Sequence, residues 1–133
     1  MWLVEGYLAR GETTTARPLI QQVIERTRTI GYLHFEGLAH QLMGECLGVE
    51  EPVTAEAHAE TALRILERCG AQNDFAKALA TRAELRRLAG DLRMARGLLI
   101  QAKEIFVTLG TRIEPARMDR ALAELDRRSP NRR

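Results

Sequence analysis

The sequence predicts an all-α fold, a stack of about seven helices paired into antiparallel hairpins, and three observations predict it. Gly31, Gly70 and Gly110 each close a helical pattern and stand 39 and 40 residues apart, a period of about one helical hairpin. Between them apolar residues recur at spacings of three and four, the periodicity of a helix with one buried face. Composition agrees: 45% hydrophobic with only 5% aromatic leaves a chain rich in Ala, Leu and Arg, residues that favour helix and offer little to strands.

Taken in order, the helices are expected from about Trp2 to Arg10, then at Thr13–Ile30, His34–Leu47, Val53–Cys69, Asp74–Ala89, Leu92–Leu109 and Glu114–Arg127. The hairpins then lie near 1–30, 32–69 and 72–109, with a single terminal helix at 113–127, and together they make one repeat domain over 1–128. Gly11, Gly48 and Gly90 supply permissive backbone between paired helices, and Pro52 and Pro115 sit in first turns, where a missing N–H costs nothing. Residues 129–133 hold Pro, Arg and the chain's one serine, Ser129, and read as a disordered tail.

Aligning the copies on the three glycines gives a register. Small residues recur fifteen positions before the glycine (Ala16, Ala55, Ala95), six after it (Gly37, Ala76, Ala116) and thirteen after it (Gly44, Ala83, Ala123). Small side chains at fixed helical positions let helix axes approach closely. Glutamates follow one position later, at Glu45, Glu84 and Glu124. The second helices carry apolar stripes, clearest in Ala95, Leu99, Ala102 and Phe106, and repeated in Ala16, Ile20, Val23 and in Ala55, Ala59, Ala62, Leu66. Such stripes are core.

Several function classes find no support. No apolar run approaches the roughly 20 residues of a membrane helix, and no charged and apolar signal segment opens the chain, so a cytoplasmic protein is expected. Cys46 and Cys69 fall near opposite ends of one hairpin, about 20 Å or more apart, and read as reduced, half-buried thiols. The net charge of +2 hides an asymmetry: residues 1–73 hold 6 basic against 10 acidic residues, and residues 74–133 hold 14 against 8. A basic half can attract nucleic acid or acidic peptides, but an interspersed helix surface gives the same count without such a partner. The chain carries no phosphate-cradling Gly-rich loop with Lys, no Cys-x-x-Cys, no His-Glu-x-x-His and no Gly-x-Ser-x-Gly. No enzymatic activity, cofactor or metal is expected.

The residues around the turns resemble the tetratricopeptide repeat family. Gly90-Asp91 is followed by Ala95, Leu99 and Ala102, similar to the family's Gly-Asp, Ala, large-apolar, Ala pattern, and Leu3, Tyr7, Gly11-Glu12, Ala16, Ile20 and Val23 repeat it. The copy at Glu50-Glu51 is degenerate. Repeats longer than 34 residues, with Leu-Gly endings and Ala-rich helices, are similar in texture to the C-terminal tracts of bacterial cyclase-type and LuxR-type regulatory ATPases. The resemblance implies a right-handed α-solenoid that binds a protein or peptide as a scaffold or regulatory domain, as part of a larger signalling protein, and implies no chemistry.

In that family the first helix of each hairpin lines a concave groove. Carried over by position, the groove stripe is Glu5 and Leu8; Leu38, Gln41 and Glu45; Lys77, Ala80, Glu84 and Arg87; and Arg117, Arg120, Glu124 and Arg127. Spacings of three and four put each set on one helix face. A glutamate ladder flanked by basic residues suits a peptide of mixed or acidic charge. The competing reading is of ordinary exposed charges paired at i, i+3 and i, i+4. The family's carboxylate clamp needs Lys and Asn where Ala80 and Glu84 stand, which puts that ligand in doubt. A small ligand or signalling peptide in the same groove is the alternative, and nucleic-acid binding through the basic half ranks below it.

Two further expectations concern single residues. His40 and His58 lie about two turns from the connection between their helices and can meet across it; the equivalent positions in the next copy are Leu79 and Leu98, so packing at the seam is favoured over a metal or pH-sensing role. At the N-terminus Trp2, Leu3 and Tyr7 form an apolar edge, expected to self-associate as a homodimer.

Overall fold

A computed structural model describes residues 9–48 and 50–128. They form six helices: α1, Thr13–Ile30; α2, Leu33–Leu47; α3, Pro52–Cys69; α4, Gln72–Leu88; α5, Leu92–Leu109; and α6, Ile113–Arg128. No strand occurs among the described residues. The expected N-terminal helix, the apolar edge at Trp2, Leu3 and Tyr7, the stripe residues Glu5 and Leu8, and the tail at 129–133 lie outside the described residues, save that Ala9 is helical.

The repeat glycines end the second helix of each hairpin. Gly31, Gly70 and Gly110 take φ of 78°, 67° and 78°, a left-handed conformation that costs other L-residues a clash at Cβ. Gly48 departs from the expectation. Its φ is −47°, a right-handed value open to any residue, and its requirement is for space: a Cβ there would stand 3.0 Å from Leu85 Cδ2 of α4. α1 stays helical through Pro18, although proline removes one helical hydrogen bond.

Close approach follows the small-residue register. A Cβ on Gly37 would meet the Leu66 side chain at 2.9 Å, and one on Gly44 would meet the Ala55 carbonyl oxygen at 3.1 Å. Residue numbers rise along α2 as they fall along α3, so the two helices are antiparallel. In the next hairpin Ala76, Leu79 and Ala83 of α4 share a core with Ala95, Leu98, Leu99, Ala102 and Phe106 of α5. The stripe residues Ala55, Ala59, Ala62, Leu66, Ala95, Ala102 and Phe106 are completely buried, and each large apolar side chain among them contributes about 1.5–3 kcal/mol. Between hairpins, Glu56 of α3 meets Arg82 at 2.8 Å and Arg86 at 3.5 Å from α4.

First helices of successive hairpins lie side by side. His34 meets Asp74, and Gln41 meets Thr81, each at 2.7 Å and each across 40 residues. An equal offset at two points along α2 means that α2 and α4 run parallel, one period apart. At the far end α6 is tied to α5 by Lys103–Asp119 at 2.6 Å and by Arg96–Asp126. Its register residues Ala116 and Ala123 are exposed, because no further described helix packs on that face. Cys46 is buried and Cys69 exposed, both as free thiols, so neither is the half-buried group expected; burial pushes the Cys46 thiol pKa up.

Candidate partner-binding groove

Because α2, α4 and α6 each occupy the first-helix position of a repeat, residues at the same register fall on one face. A cavity of about 400 Å³ opens there, lined by Gln41, Leu42 and Glu45 of α2, Lys77 and Ala80 of α4, and Glu114, Arg117 and Met118 of α6, with Phe106 and Ala9 completing the wall. Leu42, Met118 and Phe106 are buried core residues, so its apolar wall belongs to the rigid stack. Lys77, Glu45 and Arg117 stand at its exposed rim.

A smaller cavity of about 180 Å³ adjoins it, sharing Ala80 and Met118 and lined also by Glu84, Arg87, Ala121, Glu124 and Leu125. Six of the eight charged residues assigned to the groove are thereby gathered: Glu45, Lys77 and Arg117 in the first cavity, Glu84, Arg87 and Glu124 in the second. Arg120 and Arg127 line neither. Arg120 is exposed on α6, and Arg127 is turned onto Glu124.

Ion pairing divides the rim. Arg87 donates to Glu84 through Nε at 2.9 Å, which raises the Arg87 pKa. Glu124 accepts from Arg127 and, at 2.8 Å, from Arg128; the Arg127 bond foremost holds its carboxyl below the usual range. Arg117 reaches Glu114 only at 3.5 Å. These are ordinary exposed charges paired at i, i+3 and i, i+4, and they neutralise most of the second cavity's charge. Lys77 differs: among the described residues it has no carboxylate within ion-pair distance. Glu45 accepts from Gln41 at 3.2 Å.

Sequence reasoning placed Gln41 on the groove stripe but missed its partner Thr81, and missed Glu114. On the 39-residue register Gln41 aligns with Ala80, and Thr81 stands one position beyond it, so the period alone did not mark the pair. A larger cavity, about 450 Å³, lies elsewhere, between the α3–α4 turn and α5, lined by residues including Glu67, Gln72, Phe75, Gln101, Glu104 and Ile105. It contains none of the assigned residues and is lined from α3, α4 and α5 rather than from the successive first helices α2, α4 and α6.

His40 and His58 do meet, with Nδ1 atoms 2.9 Å apart and stacked rings. Cys46 turns the other way, toward the Thr13 carbonyl oxygen. Among the described residues no group of three His, Cys, Asp or Glu is arranged to hold a metal ion, and no described helix is long and apolar enough to cross a membrane. Compared with known proteins, the chain matches no family model and no curated protein.

Proposed function

We propose that this chain is a non-catalytic interaction module of tetratricopeptide type that holds a protein or peptide segment in the groove between α2, α4 and α6, as a scaffold or regulatory domain of a larger signalling protein. The observation that carries this reading is the coincidence of repeat register with cavity: Glu45, Lys77 and Arg117 come from three helices and border one apolar-walled opening. An extended peptide places alternate side chains at intervals that suit such a surface, one apolar residue entering against Leu42, Phe106 and Met118 while a flanking acid meets Lys77. Grooves of this kind draw specificity from a few polar groups around an apolar anchor.

Selection of a displayed peptide library on the immobilised chain tests the reading. It should enrich peptides pairing a large apolar residue with an acidic one, and their affinity should fall about tenfold or more, roughly 1.4 kcal/mol, for Lys77→Glu combined with Arg117→Glu. Failure to enrich, or equal binding by the double variant, contradicts it. A second reading is favoured by the volume alone: about 400 Å³ lies in the range of small-molecule sites, roughly 300–1,000 Å³. A metabolite occupying it would raise the melting temperature by mass action, whereas a peptide-binding groove leaves metabolites without effect.

A further inference from the structure

The α2–α3 seam contains a polar contact that the neighbouring seam does without. His40 is 5% exposed, and its Nδ1 lies 2.9 Å from Nδ1 of His58, with ring centroids 5.1 Å apart. At the equivalent register of the α4–α5 seam stand Leu79 and Leu98, buried in one continuous core. The hairpin therefore closes with an apolar pair, and the histidines are not required by the architecture.

We propose that the His40–His58 contact is a proton-sensitive latch, which holds α2 against α3 near neutral pH and weakens as the solution is acidified.

Two imidazole nitrogens at 2.9 Å need one proton between them, so in the closed seam one Nδ1 donates and the other accepts. With His58 as donor, His40 keeps its own proton on Nε2. That nitrogen is buried without a hydrogen-bond partner and faces Glu36 Oε2 of its own helix at 3.5 Å; Arg28 of α1 lies 3.7 Å from the same carboxylate oxygen. The charged and titratable groups acting on His40 are thus His58 from α3, Glu36 from α2 and Arg28 from α1, while α4 meets the next residue, Gln41, through the neutral Thr81 hydroxyl.

One added proton can be taken up at His58 Nε2, which leaves the Nδ1–H···Nδ1 bond between the rings intact. A second would leave two N–H donors, both on cations, pointing at each other across 2.9 Å with no acceptor, and the seam must part. The unfolded chain meets no such limit and protonates both histidines below about pH 6.5. Burial and the two rings' mutual repulsion lower the His40 pKa, and burial lowers that of His58. Below the ordinary histidine value the unfolded chain binds more protons than the folded one, so stability is fully present above it and lost as the pH falls through the folded-state values. The latch is a property of the fold and holds whether or not the groove binds a peptide.

Urea unfolding of the full 133-residue chain between about pH 7.5 and pH 5, compared with His40→Leu combined with His58→Leu, tests this. The double variant copies the Leu79–Leu98 seam and retains Glu36 and Arg28. The folding equilibrium of the unsubstituted chain should weaken by up to about tenfold more per pH unit than that of the variant, the effect of one proton. Equal slopes overturn the proposal. Should the variant fail to fold, the unsubstituted chain decides by NMR, since it has only three histidines: two imidazoles titrating below 6.5 and responding to each other support the latch, and independent titration at ordinary values overturns it.

Discussion

Gln41 Nε2 donates to Thr81 Oγ1 at 2.7 Å, joining two residues 40 positions apart in the first helices of successive hairpins. The bond fixes the register in which α2 and α4 lie parallel, and it sits beside the groove that both helices line. Thr81→Val keeps the shape and removes the acceptor. Gln41 Nε2 would still reach Glu45, so the expected loss is about 0.5–1.5 kcal/mol, read as a lower urea midpoint with unchanged slope. No shift would mean that packing alone sets the register.

Register also makes a paired prediction for small residues. Ala76 and Ala116 hold the same position in consecutive copies, one completely buried and one exposed on α6. Ala76→Leu should cost about 1–3 kcal/mol through overpacking, as should Ala95→Leu at another fully buried position. Ala116→Leu should stay within about 0.5 kcal/mol. Equal effects at Ala76 and Ala116 would show that another element covers α6.

Among the described residues Phe106 is the largest fully buried side chain, and it lies between the α4–α5 core and the groove wall. Phe106→Ala is expected to cost about 3–5 kcal/mol and to abolish peptide binding at temperatures where the variant still folds. Retained affinity in a folded variant would remove the apolar floor from the site.

Charge reversal separates the two parts of the rim. Lys77→Glu should weaken an acidic peptide strongly, whereas Arg127→Glu, whose side chain is turned onto Glu124 and lines neither cavity, should change affinity little. Arg120→Glu should behave like Arg127→Glu. Titration calorimetry at two salt concentrations gives the comparison, and a dominant effect at Arg120 or Arg127 would move the site to the outer face of α6.

How far the sequence determined these features differs by element. Helix ends marked by side-chain chemistry or by glycine were legible: α5 begins at the predicted Leu92, where Asp91 accepts from the Met94 N–H, and α1, α3 and α5 end where predicted because a left-handed glycine follows each. α2, α3 and α4 start one, one and two residues earlier than predicted, and their N-caps, Tyr32, Glu51 and Ala71, make no side-chain capping bond. Groove positions carried over from the family resemblance, followed along the repeat, picked out Glu45, Lys77 and Arg117, which border one cavity. They did not reveal which charges are already paired, because that depends on rotamers and on neighbours such as Glu114 and Arg128. Gly48 was misread for a related reason: sequence signals a missing side chain without saying whether φ or Leu85 demands it.

Binding of the partner at the α2/α4/α6 face is read out residue by residue in backbone NMR of the chain titrated with a library-selected peptide. The largest shift changes are expected at Gln41, Glu45, Lys77, Ala80, Arg117 and Met118, with Glu67, Gln72, Gln101 and Glu104 unmoved. Changes concentrated on those last four residues, around the α3–α4 turn, would contradict it.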